Sequence, residues 1–177
     1  MLEEKTALSK ASVIRLMACQ ALTIYNNTIV EDKDIDDILK DINEFFVKNY
    51  FLEEDQKTNN YKYLYKTDFL KDLVKNVIEK QEEIDEILDK FLKTYNTISN
   101  LLDTTRESFR LAIYELLYFK DIHYKIIVSE YVDIVAELTN DSKETKFFNA
   151  ILEKIAIYLR EEENKAQKRG TLKLKKE

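Results

Sequence analysis

The chain has 177 residues, of which 45% are hydrophobic and 35% charged, with no proline and a single glycine, Gly170. This composition excludes a disordered chain and disfavours a β-rich fold, whose many turns depend on glycine and proline. Cys19 is the only cysteine, which excludes an internal disulfide framework and favours a cytoplasmic location. We expect no signal peptide, because the N-terminus lacks a charged segment followed by an apolar run. We also expect no membrane span, because no apolar run approaches the roughly 18 residues that a bilayer requires.

The charge is unevenly distributed along the chain. The net charge is −6, yet the segment from Lys165 to Glu177 holds six basic residues against one acidic residue. An acidic body with a basic tail does not by itself indicate a nucleic-acid-binding protein, so any RNA contact must come from a local patch.

Apolar residues recur at helical spacing along most of the chain. The predicted helices, in chain order, cover about residues 8–25, 34–51, 67–81, 83–99, 104–119, 122–139 and 142–159. The third helix has an alternative start near Tyr63. Each helix carries one apolar stripe that must be buried against other helices. The sequence therefore predicts an all-α fold of about seven helices in two small antiparallel bundles.

A polar stretch near residues 52–60 divides the pattern. We predict an N-terminal helical subdomain over residues 1–60, a C-terminal helical bundle over residues 61–160, and a disordered basic tail over residues 161–177.

Two polar signals mark helix ends. The run Thr104–Glu107 matches a capping box, in which a threonine oxygen and a glutamate satisfy free backbone N–H groups. The run Lys120–Lys125 interrupts two apolar helices, and Asp121 is its predicted N-cap residue. Such an interruption also exposes N–H groups that favour anions, so a turn and an RNA contact are compatible there.

Charged residues within apolar runs need partners. We expect Arg110 to pair with a carboxylate such as Glu115 or Glu130. His123 is the only histidine and no second histidine or neighbouring cysteine accompanies it, so we predict no metal site. No phosphate loop or nucleophile motif is visible, and we predict no cofactor and no enzymatic activity.

Three segments in the second half carry a family resemblance: "RLAIYELLY", "DIHYKIIVSEYVDIV" and "KFFNAILEKIA". In order and spacing they resemble the bacterial transcription antitermination factors of the NusB family. The residues that match the family pattern are Arg110, Ala112, Tyr114, Glu115, Leu116, Asp121, Lys125, Glu130, Phe147, Asn149, Leu152 and Lys154. The chain departs from that pattern at His123, where relatives have proline, and at Ser129 and Ala150. It also has few arginines at the start of its first helix.

The resemblance implies a NusB-like fold and a function. NusB-like proteins bind boxA-type single-stranded RNA together with NusE, a small-subunit ribosomal protein, within an RNA polymerase antitermination complex that supports ribosomal RNA transcription. Given the resemblance, the candidate RNA-binding residues are Lys5, Lys10, Arg15, Lys120, Tyr124 and Lys125. The resemblance also points to the helix with Arg106 and Tyr114 as the NusE-binding element.

Other interpretations stay open. A helical protein-binding adaptor with weak or lost RNA affinity fits the acidic body and the few N-terminal arginines. A third hypothesis is a small enzyme, which only scattered carboxylates would support. The sequence also leaves the choice between a monomer and a homodimer undecided.

Overall fold

The computed structural model describes residues 9–28, 34–50, 67–92, 96–161 and 165, and within them it contains seven α-helices and no strand. The all-α prediction is confirmed. The helices are α1 (Lys10–Asn27), α2 (Ile35–Tyr50), α3 (Asp68–Glu79), α4 (Gln81–Leu92), α5 (Asp103–Tyr118), α6 (Tyr124–Thr139) and α7 (Ser142–Leu159), with a short 3-10 helix at Ile98–Asn100. None of these helices combines the length and apolarity needed to cross a bilayer.

The chain divides into two compact units, Met1–Lys80 and Gln81–Glu177. In the first unit α1 packs against both α2 and α3. The division follows Lys80 rather than residue 60, because α3 shares its apolar face with α1. The buried side chains of this unit recur at three- and four-residue spacing, as an amphipathic helix requires. They include Val13, Leu16, Met17, Leu22, Ile38, Leu39, Phe46, Leu70, Leu73 and Val77.

Helix α5 is the centre of the second unit. It packs against α4, α6 and α7, and every residue from Glu107 to Leu116 is buried. The Phe109 ring lies 4.3 Å from the Phe148 ring of α7, centroid to centroid. A helix buried on all sides must satisfy its polar side chains internally, since water cannot reach them.

Several helix ends differ from the prediction. The capping box was wrong: α5 starts at Asp103, and its N-cap residue Leu102 makes no side-chain cap. The predicted fourth helix extended to residue 99, whereas α4 ends at Leu92 and a 3-10 helix occupies Ile98–Asn100. The predicted start of the seventh helix at residue 142 agrees with α7, where the Asp141 carboxylate accepts hydrogen bonds from two backbone N–H groups at 2.8 and 3.3 Å.

Asparagine takes the place of glycine at the end of α6. Asn140 has φ 49° and ψ 33°, in the left-handed region, and its N–H donates to the carbonyl of Ala136. Glycine usually occupies this position, and asparagine is the residue that tolerates it next best. A chain almost free of glycine can therefore still end a helix sharply.

Candidate nucleic-acid interface

The connection between α5 and α6 covers residues 119–123 and contains the polar interruption that the sequence singled out. His123, and not the predicted Asp121, is the N-cap residue of α6. Its backbone is extended, with φ −61° and ψ 134°, and its Nδ1 accepts a hydrogen bond from the Lys125 N–H at 3.2 Å. Asp121 lies two residues too early to cap the helix. Because Nδ1 is the acceptor, the imidazole proton of neutral His123 must be on Nε2.

Arg160, at the end of α7, stabilises this connection through hydrogen bonds to backbone carbonyls. Its side chain is buried, and Nε donates to the Leu116 carbonyl at 2.6 Å while Nη2 donates to the Phe119 carbonyl at 2.9 Å. Longer bonds reach the carbonyls of Glu115 at 3.4 Å and Ile122 at 3.5 Å. The last carbonyls of a helix lack intrahelical partners and carry partial negative charge, so they suit a guanidinium.

The sequence did not predict the role of Arg160. The sequence predicts only a disordered tail that begins one residue later, at residue 161. The only local signal is one arginine after an apolar run, and no spacing rule links residue 160 to carbonyls near residue 116.

Two predicted cations are on the surface at the connection. Lys120 and Lys125 are exposed, and the Lys120 Nζ donates to the Leu116 carbonyl at 3.1 Å. Tyr124 differs, because it is 6% exposed and its ring stacks on His123 with centroids 4.8 Å apart. The Tyr124 ring therefore offers little surface on which an RNA base could stack.

An exposed aromatic residue lies at the end of α5 instead. Tyr118 is 41% exposed, and its hydroxyl donates to the Glu83 carboxylate at 3.1 Å. The ring of Tyr114 lies behind it at a centroid distance of 4.9 Å. Tyr114, one of the two predicted partner-binding residues, is itself buried.

The N-terminal cations do not form one face. Lys10 is exposed at the first position of α1, whereas Arg15 is buried at 4% exposure. Five residues of an α-helix rotate the side-chain direction by about 140° from one side chain to the other. Of the predicted pair, only Lys10 presents its charge to solvent, and Lys5 lies outside the described residues.

A buried ionic network joins α4 to α5. Arg110 donates to both Asp85 carboxylate oxygens, at 2.8 and 2.7 Å, and to Glu107 at 2.9 Å. The expectation that Arg110 pairs with a carboxylate is confirmed, although the partners are not Glu115 or Glu130. Burial alone would lower the pKa of Arg110, but hydrogen bonds and the negative charges of Asp85 and Glu107 outweigh it and raise that pKa. The guanidinium thus stays charged at any pH at which proteins work.

The second predicted partner-binding residue, Arg106, lies at the edge of this network. It pairs with Asp103 at 3.0 Å and with Glu107 at 3.1 Å, and its side chain is 13% exposed. Beside it, Leu102 is 53% exposed. The start of α5 therefore presents both an apolar and a charged surface.

These features define a small all-α protein of two helical units with exposed lysines at the candidate interface. Within the described ranges, no group of three or more His, Cys, Asp or Glu side chains is placed to hold a metal ion. The sequence profile of the NusB family matches residues 12–157, and the chain belongs to that family.

The relatives and solved structures agree with this assignment. The transcription antitermination protein NusB of Rickettsia bellii (strain OSU 85-389) is 36% identical over 154 residues, which cover 84% of this chain and 91% of the relative. The structure of T. maritima NusB has a TM-score of 0.62 and 25% identity, covering 85% of this chain and 92% of that one. A crystal structure of antitermination factors NusB and NusE in complex with dsRNA shares the fold at 24% identity and a TM-score of 0.62, with 83% and 96% covered.

Proposed function

We propose that this protein is a transcription antitermination factor of the cytoplasm that binds boxA-type single-stranded RNA together with NusE and supports ribosomal RNA transcription. One observation carries the proposal: the similarity to the R. bellii antitermination protein covers 84% of this chain. In this role the protein binds and positions its partners, and it catalyses no reaction.

The proposed RNA contacts are electrostatic and few. Lys10, Lys120 and Lys125 are exposed, and a lysine ammonium is a point charge suited to phosphate oxygens. Each phosphate contact on a single strand contributes about −0.7 to the slope of log affinity against log salt concentration. Three such contacts predict a slope of about −2. Lys5 and the basic residues after Arg160 would make it steeper.

The proposed NusE-binding surface is the start of α5. Leu102 is exposed, and the Asp103 side chain is 50% exposed beside Arg106. An apolar residue flanked by charges of both signs is typical of a protein interface, in which the apolar residue supplies affinity and the charges supply orientation. The pairing of Arg106 with Asp103 and Glu107 holds its guanidinium in place before a partner arrives.

A second candidate function is a protein-binding adaptor without useful RNA affinity. The net charge of −6 and the burial of Arg15 favour it, because both reduce the attraction for phosphate. Its NusE-binding surface would be the same.

Fluorescence anisotropy with a boxA-type RNA separates the two functions. The RNA is titrated with the protein alone and with the protein plus NusE, at several salt concentrations. We expect binding that NusE strengthens and salt weakens. The double variant Lys120→Gln, Lys125→Gln should bind more weakly and with a slope smaller by about 1.4. Lys154→Gln, an exposed lysine of α7, is the matched control and should leave the slope unchanged. RNA binding that stays undetectable with NusE present would leave only the adaptor.

A further inference from the structure

The end of α5 has the features of a base-binding platform, and the inference drawn from it rests on the proposed RNA-binding function. We propose that Tyr118 stacks against a base of the bound single strand and that Glu83 favours bases that carry an amino group. Bases of single-stranded RNA are generally held by stacking on aromatic rings and by hydrogen bonds to their edges.

The Tyr118 ring is exposed and held in place. Its exposed fraction of 41% leaves surface for a base, while Tyr114 packs behind it at 4.9 Å and 36° between the ring planes. The hydroxyl donates to Glu83 at 3.1 Å to one carboxylate oxygen and 3.3 Å to the other. A ring fixed by packing and by a hydrogen bond loses little conformational freedom when a base stacks on it.

A phosphate-binding group lies close to this ring along the chain. Lys120 is two residues after Tyr118, so their Cα atoms are at most about 7 Å apart. Lys120 is an exposed residue, and the part-buried bond from its Nζ to the Leu116 carbonyl keeps the ammonium at the end of α5. An aromatic ring beside a cation is the usual arrangement for binding a single strand, because the ring takes the base and the cation takes the backbone.

Glu83 adds a chemical preference. It is exposed, and a carboxylate has about four acceptor positions, so it can accept further hydrogen bonds while it holds the Tyr118 hydroxyl. Cytosine, adenine and guanine carry amino groups that donate to carboxylates, whereas uracil presents carbonyl oxygens on either side of its single N–H. The negative charge also repels nearby phosphates, which favours a strand that turns its base toward Glu83 and its backbone toward Lys120.

Stacking is tested by substitutions at Tyr118 in the full chain with NusE present. Tyr118→Leu should weaken RNA binding roughly 5- to 100-fold and leave the salt slope unchanged, since stacking involves no counterion release. Tyr118→Phe keeps the ring and should retain most of the affinity. Tyr158→Leu removes another exposed tyrosine, which is 56% exposed on α7, and should bind as the unsubstituted protein does. Far-UV circular dichroism tests whether each variant is folded. The Tyr118→Phe result still applies if Tyr118→Leu does not fold.

The base preference is tested with oligocytidine and oligouridine of equal length, whose rings are alike in size. We expect the unsubstituted protein to bind oligocytidine more tightly than oligouridine. For Glu83→Gln we expect the ratio of these two affinities to be closer to one. If RNA binds but Tyr118→Leu and Tyr158→Leu both match the unsubstituted protein, the stacking role is refuted. An unchanged preference in Glu83→Gln refutes the role of Glu83. If no RNA binds to the unsubstituted protein with NusE, the proposed function itself fails together with this inference.

Discussion

Replacing Arg160 by methionine should destabilise the second unit strongly. Methionine keeps much of the apolar stem but removes every donor of the guanidinium. The two shortest bonds, to Leu116 at 2.6 Å and to Phe119 at 2.9 Å, carry most of the effect. At about 1.5 kcal/mol for each hydrogen bond to a charged group, the expected loss is about 3 kcal/mol. Native domains are stable by about 5–15 kcal/mol, so the variant should still fold.

Urea unfolding, followed by far-UV circular dichroism, measures this loss. We expect a lower urea concentration at the midpoint and an unchanged dependence of the free energy of unfolding on urea concentration. Lys154→Met, an exposed lysine on the same helix, is the control and should lie within about 0.5 kcal/mol of the unsubstituted protein. Arg160→Lys should recover part of the loss, because an ammonium can donate to these carbonyls but lacks the planar fork. A free energy of unfolding for Arg160→Met within about 0.5 kcal/mol of the unsubstituted value would refute the reasoning.

Three further substitutions test the second unit in the same urea assay. Arg110→Met removes one of the two guanidinium partners of the buried Glu107 carboxylate and both hydrogen bonds to Asp85, and it should cost roughly 3–5 kcal/mol, while a loss below about 1 kcal/mol would contradict the network. Tyr131→Phe removes the 2.6 Å hydrogen bond to the buried Glu115 carboxylate and should cost about 1–3 kcal/mol; an unchanged midpoint would mean that another donor replaces it. His123→Asn places a better N-cap residue before α6 and should raise the stability by up to about 1 kcal/mol, and a lower stability would show that the imidazole does more than cap.

The helices were predictable because apolar periodicity is a local property. Helix α2 shows that this periodicity does not predict the burial of each individual residue. Both Phe45 and Phe46 fit its apolar spacing, yet Phe46 is fully buried and Phe45 is 52% exposed. Adjacent residues differ by about 100° around a helix, and the sequence alone cannot say which of them points inward. The helix that packs against α2 determines which of the two residues is buried, and that helix is distant in the sequence.

The candidate site was harder to predict, because polar groups are paired by tertiary contacts. Asp121 has the better intrinsic propensity for an N-cap, but the chain enters α6 at His123. Tyr124 and Tyr118 are both tyrosines near Lys120, and only the structure shows that the first is buried and the second exposed. Lys120 and Lys125 are exposed, as expected for lysine, which is almost never fully buried.

The arginines in the described part of the chain differ from the exposed lysines in their surroundings, which bears on the proposed RNA binding. The four arginines in the described part, Arg15, Arg106, Arg110 and Arg160, are at most 13% exposed, and the last three make hydrogen bonds within the second unit. The guanidinium fork suits such fixed pairing, whereas the exposed cations at the candidate interface are lysines. Lysine point charges attract phosphates without reading sequence. Selectivity for one RNA must therefore come from groups that meet the bases, which is the role inferred for Tyr118 and Glu83, or from the partner protein that binds beside them.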